Sequence, residues 1–97
     1  MHIITSKKLR DFANKHGDVD VQLRAWESIV KHAKWNNAAD VKMQFPYVSV
    51  LKNDRFCFNV KGNHYRLAVK VLFNAQQVLI RFIGTHADYD RIDANTI

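Results

Sequence analysis

The stretch Phe56-Cys57-Phe58-Asn59-Val60-Lys61-Gly62-Asn63-His64-Tyr65-Arg66-Leu67-Ala68-Val69-Lys70-Val71 decides the fold. Phe56, Phe58 and Val60 alternate with Cys57 and Asn59. Tyr65, Leu67, Val69 and Val71 alternate with Arg66, Ala68 and Lys70. A period of two sustained over such runs is the mark of half-buried strands. Lys61-Gly62-Asn63-His64 between them reads as a tight hairpin turn. With Gly62 and Asn63 at the tip, Asn59 falls opposite Arg66.

Toward the C-terminus, Asn74-Ala75-Gln76 supplies a second turn, and Val78, Ile80 and Phe82 form another alternating run. If Phe73 pairs with Gln76, Arg81 lies opposite Ala68. Thr85, with Asp88 three residues on, starts a short final helix. Toward the N-terminus the period changes. Val48 and Val50 are one more strand candidate, and Pro46 closes a short helix that Asn37 and Asp40 open by capping. Val19, Leu23, Trp26, Val30 and Ala33 form a single helical stripe, with Asp18 as its cap and Gln22, Arg24, Glu27, Lys31 and Lys34 mostly outside it. An earlier helix carries Leu9, Phe12, Ala13 and His16, with Ser6 as N-cap and Gly17 as its stop. His2-Ile3-Ile4 is a short strand. The expected class is α+β: an N-terminal strand and a helical hairpin packed on an antiparallel sheet of three or four strands, with a short C-terminal helix, all in one domain, residues 1–97.

Composition narrows the role. Fifteen Lys and Arg against nine Asp and Glu give a net charge of +6. The stretch from Asp88 onward is net negative, which leaves +8 on the rest. A small domain so positive attracts polyanions. No apolar run approaches the roughly 18 residues of a membrane span. The first residues lack the charged-then-apolar pattern of a signal peptide, and Cys57 is a lone cysteine, so a cytoplasmic setting is expected. The five His have no ligand spacing and there is no Cys pair, so neither a metal site nor a cofactor is expected. Trp26 and Trp35 read as core residues, and Cys57 as a small buried one.

The sheet face turned away from the helices carries the chemistry. Asn59, Lys61, Arg66, Lys70 and Arg81 are expected to share it, with Ala68 and Cys57 at the floor. Guanidinium and ammonium groups suit phosphate. Cleavage of RNA needs an acceptor for the 2′-hydroxyl proton and a donor for the leaving oxygen. His86 and Tyr89 are the acid–base candidates beside the patch. Histidine is the side chain suited to taking up a proton near neutral pH, which favours His86 as base. The alternative is a non-catalytic RNA- or ribosome-binding module that uses the same face.

The strings Phe58–Leu67 and Ile80–Asp90 resemble the two signature stretches of the HigB toxin family, within the RelE-like mRNA interferases. Leu23-Arg24-Ala25-Trp26, and Trp35 through Asp40 to Phe45-Pro46, are similar to that family's helical half. The resemblance implies a RelE-like fold and metal-independent endonucleolytic cleavage of mRNA at the ribosomal decoding site. It implies a HigA-type helix-turn-helix antitoxin as partner, with oligomers formed only through it. It implies Arg66, Arg81, His86 and Tyr89 as the catalytic set. Asn59, Lys61, Asn63 and Lys70 are then expected to bind RNA.

Overall fold

The computed structural model describes residues 1–97. The elements run β1 (His2–Ile4), α1 (Ser6–Lys15), a 3-10 turn (Gly17–Val19), α2 (Asp20–His32), α3 (Ala38–Gln44), β2 (Ser49–Val50), β3 (Arg55–Val60), β4 (Tyr65–Leu72), β5 (Gln77–Thr85) and α4 (His86–Tyr89). The five strands form one sheet in the order β1-β5-β4-β3-β2. β2 to β5 are an antiparallel meander, and β1 adds to β5 in parallel, so the sheet is mixed. The α+β class and the order of elements are as expected.

Helices α1 and α2 cover one face of the sheet. The stripe of Val19, Leu23, Trp26, Val30 and Ala33 is buried throughout. It meets Phe56, Phe58, Val60, Leu67, Val69, Val71, Val78 and Ile80, the inward set of β3 to β5. Burying each large apolar side chain stabilises the fold by about 1.5–3 kcal/mol, so this seam supplies most of the driving force. Asn37 caps α3 by accepting from the Asp40 amide at 3.0 Å, and Thr85 caps α4 by accepting from Asp88 at 3.1 Å.

Three helical details differ from expectation. Thr5 precedes α1 and Ser6 is its first residue, with no side-chain cap. Asp18 does not cap α2, because its carboxylate is engaged elsewhere: Tyr65 donates its hydroxyl at 3.0 Å and Lys61 its ammonium at 2.8 Å. Glu27 is buried, where the helical pattern placed it outside. It is held by Arg10 of α1, which also reaches Asp20 at 3.3 Å. An ion pair there ties the two helices together at their polar seam.

Candidate functional site

The face of the sheet away from α1 and α2 is built by alternation. Cys57 and Ala68 pair across β3 and β4, and Asn59 pairs with Arg66. Cys57 and Ala68 are buried and form the floor. Tyr89 of α4 folds over this floor. Its ring centre lies 5.9 Å from the guanidinium carbon of Arg66 and 6.0 Å from the Phe82 ring. Gly84 permits this packing: a Cβ there would lie 2.6 Å from the far edge of Phe82.

Tyr89 is partly buried, and burial pushes its hydroxyl up to about 12. The neighbouring Cys57 thiol adds to the shift and the Arg66 charge opposes it. Burial likewise raises the Cys57 thiol. Both groups therefore keep their protons at neutral pH, and Tyr89 is equipped to donate one rather than accept one.

His86 opens α4, three residues before Tyr89, so the two side chains project from one side of a single helical turn. Its Nδ1 lies 3.1 Å from an Asp90 carboxylate oxygen. A neutral ring carrying its proton on Nδ1, beside this carboxylate, would present Nε2 as the acceptor. The His86 amide donates to the His64 carbonyl at 3.2 Å, which ties α4 to the hairpin turn that carries the exposed Asn63. Arg66, Tyr89, His86, Asn59 and the Asn63 turn therefore gather at one end of the sheet.

Lys70 lies farther away. It pairs with Arg55 and Leu79, four residues along β4 from Arg66, or roughly 13 Å at about 3.3 Å per residue. The chain beyond α4 crosses this end of the face. Ala94 is buried, Asn95 accepts from the Lys52 amide at 2.8 Å, and Arg55 donates to the Ile97 carbonyl at 2.7 Å.

Two expected members stand elsewhere. Lys61 has a positive φ of 52°, which breaks the alternation at the strand end and turns its ammonium toward the helices and Asp18. The pairing holds the Asp18 carboxyl below its ordinary value and raises the Lys61 ammonium. Arg81 is not opposite Ala68. The turn between β4 and β5 closes as expected, with the Gln76 amide donating to Phe73 at 3.2 Å. The register then shifts: Val69 pairs with Ile80, but Ala68 pairs with Phe82. Arg81 is the extra residue of a β-bulge, and its side chain lines a groove against Lys8, Asp11, Phe12 and Lys15 of α1. A bulge re-aims one side chain in this way. It also brings Phe82, expected on the buried side, onto the open face beside Tyr89. No three His, Cys, Asp or Glu side chains converge. No helix is long and apolar enough to cross a membrane.

Comparison with known proteins agrees with this architecture. Residues 19–92 match the profile of the HigB toxin family, the RelE-like toxic component of a toxin-antitoxin system. The chain is 33% identical over 92 residues to the mRNA interferase toxin HigB of Escherichia coli (strain K12). It has the same identity to the mRNA interferase HigB of Escherichia coli O157:H7 and to that of Shigella flexneri. In each case 93% of this chain and 88% of the relative are covered. With a family match over most of its length and relatives aligned almost end to end, the chain belongs to the HigB toxin family.

Proposed function

We propose that this protein is a ribosome-dependent endoribonuclease that cleaves mRNA, inhibits translation in the cytoplasm, and is neutralised by a HigA-type helix-turn-helix antitoxin. The relatives are named mRNA interferases. The observation that carries the reading is the juxtaposition of Arg66, a phosphate-binding guanidinium, with the protonated Tyr89 hydroxyl and with His86 on the same helical turn.

The chemistry assigned to this face is transesterification. The 2′-oxygen attacks the adjacent phosphorus and the bond to the 5′-oxygen breaks, leaving a 2′,3′-cyclic phosphate and a 5′-hydroxyl. His86 takes the 2′-hydroxyl proton at Nε2, with Asp90 steadying the charge that develops on the ring. Tyr89 gives its proton to the leaving 5′-oxygen. Arg66 stabilises the charge on the phosphate oxygens in the transition state. Asn59 and the Asn63 turn contact the flanking nucleotides. The reading assigns no step to a metal ion. The ribosome orients the strand, which offsets the small number of groups on the protein.

The test is end-mapping of mRNA on translating ribosomes with wild type and Arg66→Ala. Wild type is expected to leave 5′-hydroxyl and cyclic-phosphate ends. Arg66→Ala is expected to lower the single-turnover rate by roughly 100- to 1,000-fold. Ribosome binding without cleavage by the wild type would replace the enzyme with a non-catalytic binding module. Ends of the opposite polarity would overturn the 2′-hydroxyl mechanism.

A further inference from the structure

The bulge at Arg81 separates one guanidinium from the face that carries Arg66 and delivers it to a groove between α1 and the free edge of β5. β1 covers β5 only from Gln77 to Leu79. Beyond that point α1 lies alongside, and Lys8 Nζ donates to the Ile80 carbonyl at 3.4 Å. The groove is lined by Lys8, Asp11, Phe12, Lys15, Arg81 and Phe82, among others. Its one carboxylate, Asp11, is already engaged by Lys7 at 2.7 Å. Lys8, Lys15 and Arg81 form no salt bridge with any carboxylate, so three cations outnumber the single carboxylate of the groove.

We infer that Lys8, Lys15 and Arg81 form a second phosphate subsite, which holds the backbone of the same RNA strand to one side of the phosphate held at Arg66. The inference rests on the proposed ribonuclease reading. Arg81 lies three residues along β5 from Gly84, the partner of Arg66, or roughly 10 Å at about 3.3 Å per residue. The two guanidinium groups point to different sides of the sheet edge and serve different phosphates. Phe82 sits between them, next to Tyr89 on one side and lining the groove on the other, so the surface from Tyr89 to Arg81 is continuous. An ionic contact of this kind strengthens binding without reading sequence. Arg81 is accordingly a strand-docking residue, and the reacting phosphate belongs to Arg66.

The experiment measures binding of two single-stranded RNAs blocked against cleavage by 2′-O-methylation. One is short enough to cover only the Arg66 end, and one is extended to both sides. Wild type, Lys8→Ala/Lys15→Ala/Arg81→Ala and Lys31→Ala/Lys34→Ala/Lys42→Ala are compared by anisotropy over a salt series. The two triple variants lose equal charge, and all three control positions are exposed on the helical half. Wild type and control are expected to bind the long RNA more tightly than the short one. The groove variant is expected to lose that gain, with a log–log salt slope for the long RNA shallower by roughly 2, from about 0.7 per phosphate contact on a single strand. A groove variant that keeps the full length gain, while wild type binds and cleaves, overturns the subsite alone. Failure of wild type to bind either RNA overturns the subsite, and the ribonuclease reading is judged separately by the end-mapping on translating ribosomes. Loss of ribosome co-sedimentation with an intact length gain assigns the cations to ribosomal RNA and overturns the same-strand claim. Loss of antitoxin capture with an intact length gain overturns it in favour of a protein contact.

Discussion

The Arg66 guanidinium carbon stands 5.9 Å from the centre of the Tyr89 ring. One aromatic side chain thus has two separable parts, a ring that steadies the cation and a hydroxyl that carries a proton. Cation–π contacts of this geometry contribute about 0.5–1 kcal/mol when exposed and more when desolvated.

Tyr89→Phe keeps the ring and removes the hydroxyl. Single-turnover cleavage is expected to fall by about 100-fold or more, the usual scale for loss of a general acid. RNA affinity should stay near that of wild type. Tyr89→Ala removes both parts and should weaken affinity as well. Equal loss of affinity in both variants would show that the hydroxyl binds rather than donates.

The raised Tyr89 hydroxyl makes an alkaline prediction. Its pKa rises from the ordinary 10 to about 12 on folding, so the folded state holds the proton more tightly. The resulting stability is fully present below about pH 10, declines as pH rises, and is gone above about pH 12. In a tyrosinate absorbance titration of the folded protein, a phase near pH 12 should disappear in Tyr89→Phe. Loss of a phase at the ordinary tyrosine value instead would show that Tyr89 is not buried as described.

Gly84→Ala is expected to disturb the site through packing. The added Cβ would meet Phe82 at 2.6 Å, and Phe82 in turn backs Tyr89. Overpacking of this kind costs about 1–3 kcal/mol. Thermal unfolding should register the cost, and cleavage should fall further than Tm alone explains. Pairing the substitution with Phe82→Leu should recover the stability.

Arg10→Met leaves Glu27 buried without its partner. The expected cost is about 2 kcal/mol, between the values for exposed and fully buried pairs because Arg10 retains some solvent contact. For a chain of this length that corresponds to a fall in Tm of roughly 8–16 °C. Activity per folded molecule should be unchanged, since the pair lies on the helical side. A simultaneous Glu27→Leu should restore most of the loss.

Periodicity made most of the architecture legible. The α2 stripe, both hairpin turns and the caps at Asn37 and Thr85 are local signals, and local chemistry sets them. The site was legible where it depended on the first hairpin: Asn59 opposite Arg66 follows from turn length alone. It failed where one residue departs from its neighbours' conformation. Lys61 takes a left-handed backbone that its sequence neighbourhood does not demand, although Gly62 is adjacent. Arg81 occupies a bulge with no glycine or proline to mark it, so counting by twos carried it to the wrong face. Glu27 was misplaced because its partner, Arg10, is on another helix and no helical pattern reports an inter-helix ion pair. The +8 charge outside the tail speaks for a polyanionic partner, and no count of charges reports which cations share a surface.

The bulge also makes the last strand unusually forgiving of a lost codon. Removing one residue from within a strand ordinarily exchanges its two faces from that point onward. Here the surplus residue is Arg81 itself. Excising it leaves Ile80 against Val69 and Phe82 against Ala68, with every later pair through Thr85 and Tyr65 unchanged. The shortened strand would be regular and equally well paired, and would lack only one charged arm over α1. A length polymorphism at this point is therefore a substitution in disguise, since it edits the surface of the molecule and leaves the core as it was.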